Sequence, residues 1–200
     1  MQLWKNARFA TLSLLCVLTA CAGVKTGPVS ELMPPAPPPT YKIGDHYRYS
    51  IAVLEDEQTV VDQTAEAAII ESTVFGRLKQ PRAFSNPRTW SGAVASKLSV
   101  DMEGNLDALF PLEVGKTVSA RGTSHYKGRS SPFERTCVVE DQLKITVPAG
   151  AFDTFKVDCR IRFRQGGYTV TFWYAPSIHH FAAFSDHGIF LLLDYRLAEN

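Results

Sequence analysis

Cysteine and histidine carry most of the chemistry this chain could do. Cys137 and Cys159 lie at apolar positions of two alternating runs, so a disulfide between neighbouring strands is expected. It would enclose 21 intervening residues and contribute about 3 kcal/mol in the loop-entropy picture. Two buried free thiols are the other arrangement the runs allow. His179, His180 and His187, with Asp186, are the best metal candidates. Neighbouring residues on a strand point apart, so only a loop could bring these histidines together, and zinc wants three or four ligands. A solvated loop is the expectation, with no metal and no cofactor. Asp101, Glu103, Asn105 and Asp107 alternate oxygens as a calcium loop does. Gly104 stands fourth where that loop needs glycine sixth, so a hairpin turn at Gly104-Asn105 is expected instead. Lys156, Arg160, Arg162 and Arg164 form a basic stripe, read as a wet sheet face that also blunts edge pairing. The sequence has no GxSxG, Walker A or HExxH pattern, and no spacing singles out a triad. The expectation is a protein without catalytic residues.

The elements that position these residues follow from composition. The chain has 200 residues, 45% hydrophobic and 20% charged, close to a soluble globular average. Its 21 basic residues face 20 acidic ones, a balance that argues against nucleic acid as a partner. Lys5 and Arg8 precede an apolar run from Phe9 to Ala20. That run is too short to span a bilayer and reads as the core of a secretory signal peptide, residues 1–20. Pro28, Pro34, Pro35, Pro37, Pro38 and Pro39 crowd the next stretch. Residues 21–40 are therefore expected to be an extended tether, reaching at most roughly 60 Å.

Residues 41–200 are expected to form one mainly β domain: a curved antiparallel sheet, half-barrel or open barrel. Turn signals such as Gly44-Asp45, Pro148-Ala149-Gly150 and Gln165-Gly166-Gly167 divide short runs rich in Val, Ile, Thr, Phe and Tyr. From Cys137 to Val147 and from Phe155 to Phe163, apolar and polar residues alternate, which predicts one buried and one wet face. Val60 to Ile70 mixes helix and strand formers and is read as strand. Lys42-Ile43-Gly44-Asp45 is faintly echoed by Glu113-Val114-Gly115-Lys116, each an apolar-glycine turn feeding a strand.

Two resemblances add to this. Leu18-Thr19-Ala20-Cys21 resembles the lipobox of bacterial lipoproteins. In that family the cysteine is joined to diacylglycerol, the peptide is cut before it, and its new amine is acylated. Ala22, rather than Asp, follows Cys21. The resemblance thus implies an outer-membrane anchor with the domain facing the periplasm. Removing Lys5 and Arg8 leaves 19 basic against 20 acidic residues, so attachment would rest on acyl chains rather than on basic charge. Further on, Phe110-Pro111-Leu112-Glu113-Val114-Gly115-Lys116, then Val147-Pro148-Ala149-Gly150-Ala151-Phe152, then Trp173-Tyr174-Ala175-Pro176 resemble signatures of a group of bacterial envelope lipoproteins. The group is distantly similar to the curved sheets of the periplasmic lipoprotein carrier and its receptor. That implies a structural or interaction module with an envelope-protein partner or, alternatively, a carrier of lipid or another apolar ligand in the concave face. It supplies no catalytic residues. Ser177-Ile178-His179-His180 departs from the group, which tends to glycine and basic residues there.

Overall fold

The computed structural model describes residues 24–65, 67–81, 89–91 and 98–199. The expected signal segment and Cys21 lie outside the described residues. Thirteen strands are described: β1 (Lys25–Pro28), β2 (His46–Ile51), β3 (Leu54–Gln63), β4 (Ala67–Ser72), β5 (Gly76–Pro81), β6 (Thr89–Ser91), β7 (Ser99–Glu103), β8 (Thr117–Tyr126), β9 (Arg129–Val147), β10 (Gly150–Phe163), β11 (Gly166–Ala175), β12 (His180–Ser185) and β13 (Ile189–Arg196). From β2 onward each pairs antiparallel with the next, and β13 returns to pair with β2. The protein is thus mainly β, one strongly curved antiparallel sheet. Its wall is thinnest between β6 and β7, where Thr89 opposite Ser99 is the one described pair. The sheet is an open barrel rather than a continuously laddered one.

The faint echo of turns has a structural counterpart. Gly44 (φ 98°) donates to the Val60 carbonyl at 2.8 Å, and Val60 donates to Asp45 at 2.9 Å. Gly115 (φ 86°) repeats this with Val139 at 2.8 Å, and Val139 donates to Lys116 at 2.9 Å. Both glycines occupy backbone space that L-residues avoid. Each turn opens a meander of six strands, β2 to β7 and β8 to β13. The Val60-to-Ile70 stretch is strand, but in two pieces, β3 and β4, because Thr64 turns the chain by bonding with Ala67.

One expectation about the β9–β10 hairpin is corrected. It does not bury a single face along its length. Val157 faces Val139, but Lys156 faces Asp141, so Glu140 is an extra residue and forms a bulge. A bulge exchanges the faces beyond it. Cys137, Val139, Phe155, Val157 and Cys159 join one apolar cluster with Phe172, Tyr174 and Phe181. Ile145, Val147 and Phe152 join another with Tyr47, Tyr49, Phe190 and Leu192. Alternation by residue number cannot register this, since the extra residue leaves the odd positions apolar on both sides. The hairpin turn expected at Gly104-Asn105 is likewise replaced. Asn105 caps a short 3-10 helix, Leu106–Leu109, by accepting from the Asp107 N–H.

The proline-rich stretch is not a free spacer over residues 24–40. β1 pairs with the far end of β9, Lys25 opposite Thr146 and Pro28 opposite Leu143. The Gln142 amide, turned inward by the bulge, accepts from Met33 N–H at 2.7 Å and donates to Met33 C=O at 3.0 Å. Ala36 interrupts the prolines, so it keeps an N–H to donate. It exchanges two backbone hydrogen bonds with Leu112, of 3.1 and 2.8 Å, and is buried. Polyproline geometry is extended enough to lie along a sheet edge wherever no donor is required, and Ala36 supplies the donor where one is. Three residues separate Cys21 from Lys25, so the four steps between them span about 14 Å when fully extended. β1 starts beside the β9–β10 turn and runs away from it, fixing which end of the sheet the N-terminus leaves.

Candidate functional site

The residues singled out by type do not converge. Cys137 and Cys159 face each other across β9 and β10 and are joined by a disulfide, with Cα atoms 4.0 Å apart. Both are buried, so the bridge staples the wall of the first apolar cluster. The histidines go separate ways. His179 takes a left-handed conformation (φ 54°) as the C-cap of the short helix Pro176–Ile178. His187 (φ 51°) sits in the β12–β13 turn with an exposed side chain. His180 is no loop residue: it is 3% exposed and lies among aromatic rings. No cluster of three metal-binding side chains occurs among the described residues. Asp101 instead bonds His125 at 3.0 Å, and Asn105 is committed to its cap. On the basic stripe, Lys156 pairs with Asp158 at 2.9 Å, and Arg160, Arg162 and Arg164 are exposed.

Two buried polar groups were not anticipated. The first is His180, at the start of β12. The left-handed turn at His179 aims its ring inward, onto Tyr47 with ring centres 4.2 Å apart. Its Nδ1 shares a 3.1 Å hydrogen bond with the Tyr41 hydroxyl. Tyr47 and Tyr49 donate their hydroxyls to the carbonyls of Ile178 and Phe181, at 3.2 and 2.7 Å. Burial pushes the imidazole down to about 3, so it is neutral across the physiological range. Burial also raises Tyr41 and Tyr49 well above the ordinary phenol value, so the group is an uncharged packing network.

The second is Arg135 on β9. Strand parity aligns it with Phe133 and Cys137, and it is 2% exposed. Its guanidinium carbon lies 5.9 Å from the centre of the Phe172 ring. Its Nε and Nη2 are buried with no hydrogen-bond partner. Burial lowers it to about 10, against the pull of Tyr168 and Asp186, so it remains charged at neutral pH. Asp186, in the β12–β13 turn, also has a buried and unpartnered Oδ1, 3.8 Å from His187 Nε2. Burial raises its carboxyl, while His187 and Arg135 lower it. The two groups feel each other's charge yet form no ion pair. Around them Phe163 packs against Phe133 at 5.7 Å and stacks on Tyr168 at 6.3 Å, and Tyr168 meets His187 at 4.5 Å. Phe163 also lines two open depressions, of about 460 Å³ with Phe133 and Arg162, and about 570 Å³ with Tyr168 and Arg164.

An unpaired buried guanidinium is costly to a fold. It can bind an anion through charge-assisted hydrogen bonds far more strongly than a surface arginine can. The signal was legible in principle, because Phe133, Arg135, Cys137 and Val139 share one parity and only Arg135 breaks the apolar series. Comparison with family models, curated proteins and solved structures finds no match to this chain.

Proposed function

We propose that the protein is a non-catalytic lipoprotein of the bacterial outer membrane, anchored by an acylated Cys21, and that its domain works as an interaction module close to the periplasmic surface of the bilayer. The observation that carries this reading is the docking of β1 on β9, which leaves three residues between Cys21 and the folded body. A spacer serves a domain that must reach; a docked strand serves one that is held in place. β1 points its N-terminus toward the β9–β10 turn. The anchor would thus hold that end of the sheet at the membrane. The turns β8–β9, β10–β11 and β12–β13 would face the periplasm, and with them the exposed Arg129, Arg162 and Arg164. That end is where a partner from the envelope would bind.

The test is the Cys21→Ser protein beside the unaltered one. The unaltered protein should fractionate with outer membranes, and its mature N-terminus should carry the mass of diacylglycerol and an acyl chain. Cys21→Ser should stay uncleaved or unacylated. An unmodified Cys21 in the unaltered protein would end this reading. A second reading, a carrier of apolar ligand, is favoured by one observation: the unpartnered Arg135 beneath a set of aromatic rings.

A further inference from the structure

Arg135 is an anomaly for a purely structural core. Leaving an arginine buried without a partner penalises the fold, and an apolar residue of similar length would remove the penalty. Groups of this kind are retained where a ligand completes them. The surroundings define what that ligand must be. The guanidinium offers two unused donors, Nε and Nη2, and demands an acceptor with negative charge. Asp186 makes no ion pair with it, and its own Oδ1 has no hydrogen bond and only the His187 imidazole at 3.8 Å. The walls are Phe133, Phe163, Phe172 and Tyr168, which ask for an apolar body rather than a small hydrated ion.

We propose that Arg135 is the head-group site for a single-chain anionic amphiphile, its carboxylate or phosphate bonded to the guanidinium and its chain lying along Phe133, Phe163 and Phe172. This deepens the carrier reading and is independent of the anchor. Arg135 lines neither of the two depressions bordered by Phe163, so a ligand entering from that end of the sheet must displace the Phe163 ring to reach the guanidinium. Asp186 tunes the site: it competes for the guanidinium by charge and disfavours a second negative charge nearby.

The protein for the test is the chain from residue 21 with Cys21→Ser, which retains every described strand, cluster and buried network. It is titrated by calorimetry with oleate, 1-oleoyl lysophosphatidate, oleyl alcohol and inorganic phosphate. One of the two charged lipids should bind one to one, at least about tenfold more tightly than oleyl alcohol, the value expected for a charged hydrogen bond. Which of them binds more tightly identifies the carboxylate or the phosphate as the source. Inorganic phosphate alone should bind weakly. Arg135→Met should erase the preference over oleyl alcohol while its urea midpoint stays equal or rises. Should that variant misfold, Asp186→Asn provides the independent reading: removing the competing carboxylate should tighten oleate binding severalfold. Equal affinity for oleate and oleyl alcohol, no binding of either charged lipid, unchanged oleate affinity in a folded Arg135→Met, or unchanged affinity in Asp186→Asn would overturn the proposal. Failure here leaves the anchored module untouched, and an unmodified Cys21 leaves this site untouched.

Discussion

Acid should loosen this fold through one side chain, His180. Its imidazole is buried and neutral, surrounded by the hydroxyl of Tyr41 and the rings of Tyr47, Tyr49 and Phe181. The carboxylates that act on this network are Asp45, on Tyr41 and Tyr47, and Asp56, on Tyr49. The folded-state value is pushed down to about 3, against about 6.5 in the unfolded chain. A lowered folded value means that below about pH 6.5 the unfolded state binds the proton and the folded state does not. Stability therefore falls as pH drops, from about pH 6.5 toward 3. At about 1.4 kcal/mol per pH unit, the loss between pH 7.5 and 4.5 is about 2.7 kcal/mol from this residue alone. The assay is urea unfolding followed by tryptophan fluorescence at both pH values, with the disulfide intact. Carboxylates add their own acid dependence, so the comparison is with Tyr41→Phe/His180→Phe, which removes the titrating ring and its hydrogen-bond partner together. The double variant should lose about 2.7 kcal/mol less on acidification than the unaltered chain. Equal losses in the two proteins would refute the assignment of His180 as a buried neutral group.

Three further outcomes are expected. Asp56 is fully buried and accepts from Gln58 Nε2, Ser72 Oγ, Thr73 Oγ1 and the Val74 N–H at 2.8, 2.6, 3.2 and 3.0 Å. Asp56→Ala should thus cost about 3 kcal/mol in urea unfolding at pH 7, because four donors lose their acceptor. Cys137→Ser/Cys159→Ser should lower stability by about 3 kcal/mol, and the oxidised unaltered chain, unfolded without reductant, should show no free thiol at these positions. Ala36→Pro removes the one N–H that ties the proline run to Leu112. It should cost about 1 kcal/mol and expose residues 24–40 to limited proteolysis, while Val29→Ser on the same segment should not.

What was legible in the sequence divides along physical lines. Alternation in Cys137–Val147 and Phe155–Phe163 identified neighbouring strands and placed the two cysteines on a shared face, because strand periodicity is local. The face exchange at Glu140 was not legible, since a bulge is set by register against the partner strand. The proline run reads as a spacer because prolines cannot donate. The run's fate turned on Ala36 and on the Gln142 amide more than a hundred residues away. His180 looked like a loop residue beside His179. A left-handed backbone at His179 decided its direction, and sequence gives no such signal for a residue other than glycine. Arg135 broke an apolar parity series, a clue visible only once the strand is extended back to Phe133.

The proximity of the domain to the bilayer tests the central claim most directly. Neutron reflectometry of the acylated protein on a supported bilayer measures the protein-free layer between the head groups and the domain. The three residues between Cys21 and Lys25 set a gap of no more than about 14 Å. A gap of several tens of ångströms, as a free nineteen-residue tether would give, would contradict the docked N-terminal strand and the anchored-module reading built on it.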